Sequence, residues 1–177
     1  MRQLTRSGRS ARGFTLIELL VVIFIISIVT SVALLSISHN SNKQLESFAK
    51  ELTQMVTLAE EQAMLSPNVL GLAFEQRTFY FASLQPAVNN KKKTWIRLQD
   101  SLFGKRVIPD PIQVDVVVDG VRIGLSDSAE NKKNPQIVIS TNGDITPFKI
   151  YIGKRGDKPR YVVTGDADGT VVSKALS

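Results

Sequence analysis

Arg12-Gly13-Phe14-Thr15-Leu16-Ile17-Glu18 stands at the boundary between two kinds of sequence, and its reading decides the fold. Upstream lie Arg2, Arg6, Arg9 and Arg12, with no acid among the first thirteen residues. Downstream, the 24 residues from Phe14 to Ile37 carry one charge, Glu18. A helix of that length reaches ~36 Å at ~1.5 Å per residue, enough to cross a ~30 Å hydrocarbon core. The basic flank predicts a cytoplasmic N-terminus, with the C-terminal bulk on the outer side.

A secretory signal peptide fits this stretch poorly. Its apolar core would be shorter, and a small-residue cleavage site would follow. Here the run holds Glu18 and ends in Ser36-Ile37-Ser38-His39-Asn40. A plain signal anchor explains length and orientation, but not a carboxylate inside the span, which costs ~2.5–3.5 kcal/mol at mid-bilayer. The string Gly13-Phe14-Thr15-Leu16-Ile17-Glu18-Leu19-Leu20 resembles the N-terminal signal of type IV pilins and pseudopilins. The resemblance implies cleavage by a prepilin peptidase after Gly13 and N-methylation of the new first residue, Phe14. Glu18 is then fifth in the mature chain, where the family's glutamate is thought to meet a neighbour's N-terminus. Pairing with an amine removes much of the cost of a buried carboxylate. The sequence leaves open whether that amine is the neighbour's or the chain's own. The expected role of Glu18 is to set register in assembly rather than to catalyse.

Composition narrows the functions further. The formal charge of +6 includes the four leader arginines, so the mature chain is about +2 and its basic character is mostly an address. There are no cysteines, which excludes disulfides, thiolate metal sites and Cys nucleophiles. Many true type IV pilins carry a C-terminal disulfide loop, so its absence leans toward a pseudopilin. The one histidine, His39, falls at the membrane edge and reads as an ordinary aqueous residue.

No proline or glycine interrupts Phe14 to Ser66, and one long helix is expected there. Many pilins have a helix-kinking proline near where this chain has Leu35. Leu45, Phe48, Ala49, Leu52, Met55, Val56, Ala59 and Ala63 recur at steps of three and four, making one stripe. Pro67 ends the pattern. Beyond it the reading is β: 69–74, 78–84, 94–98, 112–118, 121–125, 136–140, 148–153, 161–164 and 170–172. Asp119-Gly120 is a two-residue hairpin signal, and Asn142-Gly143 and Asp168-Gly169 are further turns. Residues 85–93, 99–111 and 126–135 read as polar loops.

The fold class is therefore α+β: a long N-terminal helix, membrane-spanning in its first half, packed on an antiparallel β-sheet domain. The expected divisions are a cleaved leader at 1–13, a transmembrane and assembly half-helix at 14–37, a periplasmic half-helix at 38–66 and a periplasmic β domain at 67–177. The whole chain resembles the H-type minor pseudopilins of type II secretion. The likeness lies in Ala59-Glu60-Glu61-Gln62-Ala63, in Leu70-Gly71-Leu72-Ala73-Phe74, and in Phe79-Tyr80-Phe81 before Trp95. It continues from Pro135-Gln136-Ile137-Val138-Ile139-Ser140-Thr141-Asn142-Gly143 to Thr146-Pro147-Phe148.

That resemblance implies a non-enzymatic subunit near the tip of a periplasmic pseudopilus, single-pass in the bacterial inner membrane, helping export folded exoproteins. Its partners would be the prepilin peptidase, other minor and major pseudopilins, the inner-membrane secretion platform and exoprotein cargo. Two alternatives stand beside it. One is a minor pilin priming type IV pilus assembly or DNA uptake, and the other a membrane-anchored binding module for exoproteins or DNA.

The residues themselves offer no catalytic, cofactor or metal site. Asp115 and Asp119 read as solvated acids. Asp166-Ala167-Asp168-Gly169 begins like a calcium loop but runs into a strand instead of the further acids such a loop needs. Lys91-Lys92-Lys93 before Trp95 and Arg97 could hold single-stranded nucleic acid, but reads better as a solvated loop entering a strand whose Trp is core.

Overall fold

The computed structural model describes residues 14–66, 68–85, 93–125 and 134–176, with the backbone alone at 32–41. Helix α1 (Leu16–Leu65) is followed by β1 (Leu70–Phe74), β2 (Thr78–Gln85), β3 (Thr94–Arg97), β4 (Arg106–Val107), β5 (Ile112–Val118) and β6 (Val121–Ile123). Then come β7 (Ile137–Ile139), β8 (Phe148–Lys154), β9 (Tyr161–Gly165) and β10 (Val171–Ala175). The chain divides into two units, Met1–Ser41 and Asn42–Ser177.

In the first unit, helix α1 exposes its large apolar side chains from Leu16 to Val29. The hydroxyls within this run are satisfied locally. Ser27, Thr30 and Ser31 donate to the carbonyls of Ile23, Ile26 and Ser27 at 2.7, 2.7 and 2.8 Å. Such back-bonding pairs these hydroxyls within the helix itself.

In the second unit the predicted stripe is the inner face of the helix. All eight of its members, Leu45 to Ala63, are buried. They join one core with the inner faces of two antiparallel sheets. A buried Leu or Phe side chain contributes ~1.5–3 kcal/mol, so this stripe is the main fastening of the helix. The first sheet has the order β3-β2-β1-β7, with β4 also on β2; the second runs β10-β9-β8-β5-β6. Phe79, Phe81 and Ser83 share one face of β2 as the alternation requires, and all three are buried. Phe48 of the helix meets the Phe79 ring edge-on at 6.1 Å. Asp119 and Gly120 take positive φ, 48° and 79°, in the two-residue turn that pairs Val118 with Val121.

Two readings need correction. The stretch 99–111 is more than a polar loop, because it carries β4 and buries Phe103 and Ile108 in the core. The Phe103 ring packs at 5.2 Å on Phe81. The last strand also continues beyond 172, to Ala175.

Two glycines close the sheets by having no side chain. A Cβ on Gly71 would sit 2.5 Å from Pro135 Cβ and 3.0 Å from Trp95 Cζ3. A Cβ on Gly165 would overlap the buried Phe148 ring.

The last turns of the helix rest on the turn between β9 and β10. The Glu60 carboxylate lies where a Cβ on Gly169 would be. Burial, followed by the charges of Glu61 and Asp168, holds the Glu60 carboxyl above its ordinary value. A carboxyl raised in the folded state favours folding at acid pH and opposes it increasingly as pH rises through the folded value. Glu60→Gln is therefore expected to raise stability at neutral pH by about 0.5 kcal/mol or less, and the unfolding temperature with it, with no gain at acid pH. Thermal unfolding at the two pH values checks this; an equal gain at both would contradict it.

Candidate functional site at the start of the helix

Helix α1 begins in the stretch that the sequence singles out. Thr15 is its N-cap: its hydroxyl oxygen accepts the backbone N–H of Glu18 at 3.3 Å, and its carbonyl accepts that of Leu19 at 3.3 Å. These bonds satisfy donors that a helix start otherwise leaves open. Thr15 was not among the predicted site residues. The signal was present, because Thr-x-x-Glu is a capping-box pattern.

The cap uses the main chain of Glu18, so the carboxylate is a separate element. It stands on the exposed first turn, where a negative charge also suits the positive end of the helix. Among the described residues Glu18 has no ion-pair partner. Phe14 precedes the cap and is 76% exposed. The geometry thus places Phe14 and Glu18 about one helical turn apart. Gly13 and the leader lie outside the described residues.

Among the described residues, no helix is long and apolar enough to cross a membrane. The apolar side chains are described only as far as residue 31. From Leu16 that length of helix spans ~24 Å, short of a ~30 Å core. The remaining apolar residues up to Ile37 continue the same helix in its backbone.

Elsewhere the candidate constellations resolve into structure. Trp95 is not the core residue expected of it: it is half-buried and covers Gly71 on the outer face of the first sheet, while Arg97 lies over the Tyr80 ring at 3.9 Å. The Trp95 and Arg97 side chains of the suspected nucleic-acid patch are therefore engaged within the fold; Lys93 is exposed, and Lys91 and Lys92 lie outside the described residues. Asp166 and Asp168 belong to the β9–β10 turn. Asp166 accepts the Gly169 N–H through its carbonyl, and the Asp168 carboxylate accepts the Thr170 N–H at 3.0 Å. The Thr170 N–H, followed by the Thr170 hydroxyl, holds the Asp168 carboxyl below its ordinary value. Asp115 lies on the outer face of β5, and Asp119 is exposed in the hairpin turn.

The chain is similar to known proteins over most of its length. Residues 8–34 match the prokaryotic N-terminal methylation motif. The type II secretion system protein H of Pseudomonas aeruginosa is 31% identical over 160 residues, covering 86% of this chain and 88% of that protein. Its counterpart in Aeromonas hydrophila is 24% identical, over 88% of each chain. The structure of the minor pseudopilin EpsH from the Type 2 Secretion System of Vibrio cholerae has the same fold. The TM-score is 0.62 at 22% identity, covering 75% of this chain and 96% of that one. The solution structure of GspH from E. coli superposes with a TM-score of 0.59 at 17% identity, over 76% and 90%.

Proposed function

The chain belongs to the type II secretion system protein H family, and from that premise we propose that it works as a minor pseudopilin near the tip of a periplasmic filament. The observation that carries this reading is the reach of the 31% identity, over 160 residues. The methylation motif spans only 8–34. Likeness confined to that motif would point to any pilin-like subunit. Likeness that runs on through the β domain points to this subunit type.

In this proposal the leader 1–13 is removed and Phe14 is methylated. The segment 14–37 anchors the chain once through the inner membrane, N-terminus cytoplasmic, and later packs against neighbouring helices. Residues 38–66 and 67–177 form the periplasmic body. Glu18 neutralises an amine at the start of a helix during assembly. The partners are the prepilin peptidase, the other pseudopilins and the inner-membrane platform. The role is structural, and the work of export is done by the assembly rather than by a reaction on this chain.

An in-frame deletion tests this against the pilus alternative. Secretion of exoproteins is expected to fail while twitching and DNA uptake stay normal. The reverse pattern would move the protein to the type IV pilus, and no change in either would overturn the assignment.

A further inference from the structure

Strand β6 covers only part of β5. It pairs Val116 with Ile123, Val117 with Arg122 and Val118 with Val121. On its other edge β5 is paired from Ile112 to Val118 by β8. In an antiparallel ladder alternate residues bond toward a given neighbour. The two-residue turn makes Val118 bond toward β6, then Val116, and Val114 is next in that series. The Val114 side chain is 5% exposed and belongs to the core. Yet Val114 lines a surface cavity of about 690 Å³ beside β6. Its backbone is therefore the part that meets the cavity. The next N–H in the series, that of Ile112, is already taken by the Pro109 carbonyl. Among the described residues, the open edge is short and centred on Val114.

Three arginines from separate elements line the same cavity: Arg77 from the β1–β2 turn, Arg122 on β6 and Arg155 after β8. Arg77 and Arg155 share the one carboxylate of Asp110, at 2.7 and 3.6 Å. Arg122 has no ion pair among the described residues. Asp115 is the one acid lining the cavity, so the surplus charge is positive. Arg122 pairs with Val117, which puts it on the same sheet face as Gln113 and Asp115. An added strand beside Val114 would present alternate side chains to that face.

We propose that this edge receives an extended acidic segment of a neighbouring filament subunit, which adds as a short strand at Val114 and sets its carboxylates against Arg122 and Arg155. Main-chain bonds would supply the attachment and the arginines the selectivity, as in other strand additions. The inference rests on the filament reading above, since that supplies the neighbour.

The test uses the full-length protein in detergent micelles with two probes, a hexapeptide alternating valine and glutamate and its valine–lysine counterpart. The acidic peptide is expected to bind about tenfold tighter or more, and to slow hydrogen exchange at the Val114 amide. Arg122→Ala combined with Arg155→Ala should erase the preference; both side chains are exposed, so the fold is kept. Equal binding of the two peptides, or no binding, would overturn the proposal. So would a Val114 amide already protected in the free chain. Lost secretion in the deletion strain together with indifferent peptides would sink this surface alone. A deletion without phenotype would sink the functional reading, whatever the peptides did.

Discussion

Glu18→Gln is expected to leave trimming after Gly13 intact and to reduce incorporation into the filament about tenfold or more. The substitution isolates one property. The N-cap is built from the Thr15 hydroxyl and the backbone N–H of Glu18, so glutamine keeps the helix start unchanged. Membrane insertion should not suffer either, because an uncharged amide is cheaper to desolvate than a carboxylate. What disappears is the negative charge that would meet an amine in the assembled helix bundle. A charge at mid-membrane carries ~2.5–3.5 kcal/mol; Glu18, four residues into the proposed span, carries less, but ~1.4 kcal/mol already gives a factor of ten in an equilibrium. The two readouts are the mobility of the trimmed chain and its co-purification with other pseudopilins. Thr15→Val is the companion variant: it removes the cap and keeps the charge, at a cost of ~1 kcal/mol to the helix start. Normal incorporation of Glu18→Gln would remove the register-setting role. A larger defect in Thr15→Val would transfer it to the cap.

Gly165→Val should be the most damaging single change in the β domain, lowering its stability by about 2–3 kcal/mol and its unfolding temperature by roughly 10 °C. Gly165 pairs with Phe148 on one side and Val171 on the other. The Phe148 ring fills the space over its Cα and is 3% exposed, with Ile150 and Val163 fully buried in the same core. The ring cannot step aside without displacing close-packed neighbours. Backbone freedom is not the reason for this glycine, as its φ is not among the positive ones. The specific check is a second-site change. Phe148→Leu should be destabilising alone, yet partly restore the valine variant by returning volume to the site. If the two effects simply add, the overlap is not the cause.

The sequence made some features legible and hid others, for reasons of range. The helix stripe is periodic, and periodicity is a local property, so all eight positions could be named in advance. The Asp119-Gly120 hairpin follows from the need for positive φ at two successive residues. Phe103 and Ile108 sit five apart in a polar stretch with no period, and their burial depends on partners distant in sequence, such as Phe81. Division of the strands into two sheets was likewise invisible, since alternation tells which face of a strand is apolar but not which strand lies beside it. At the helix start, Gly13, Phe14 and Glu18 stood out as a motif, whereas Thr15 looked like filler until its hydroxyl was seen capping the helix. Gly71 and Gly165 carry no local mark at all, because what forbids a side chain there is a proline, a tryptophan and a phenylalanine brought in from elsewhere in the chain.

Strand β7 belongs to the first sheet, where its Ile139 pairs with Leu70 and its Ile137 with Leu72, although sequence neighbours of β7 on both sides build the second sheet. This interleaving constrains the chain's emergence from the export channel. The helix stripe and the apolar face of β1 emerge early, but Ile137 and Ile139, both fully buried in the finished fold, emerge much later. Until then neither sheet can close over the helix. Long-range closure of this kind is slow, and it leaves greasy surface uncovered during synthesis. On the proposed inner-membrane topology the nascent subunit therefore spends an interval as an aggregation-prone intermediate beside the membrane, and a periplasmic holdase should raise the yield of folded protein more than it changes the stability of the finished molecule.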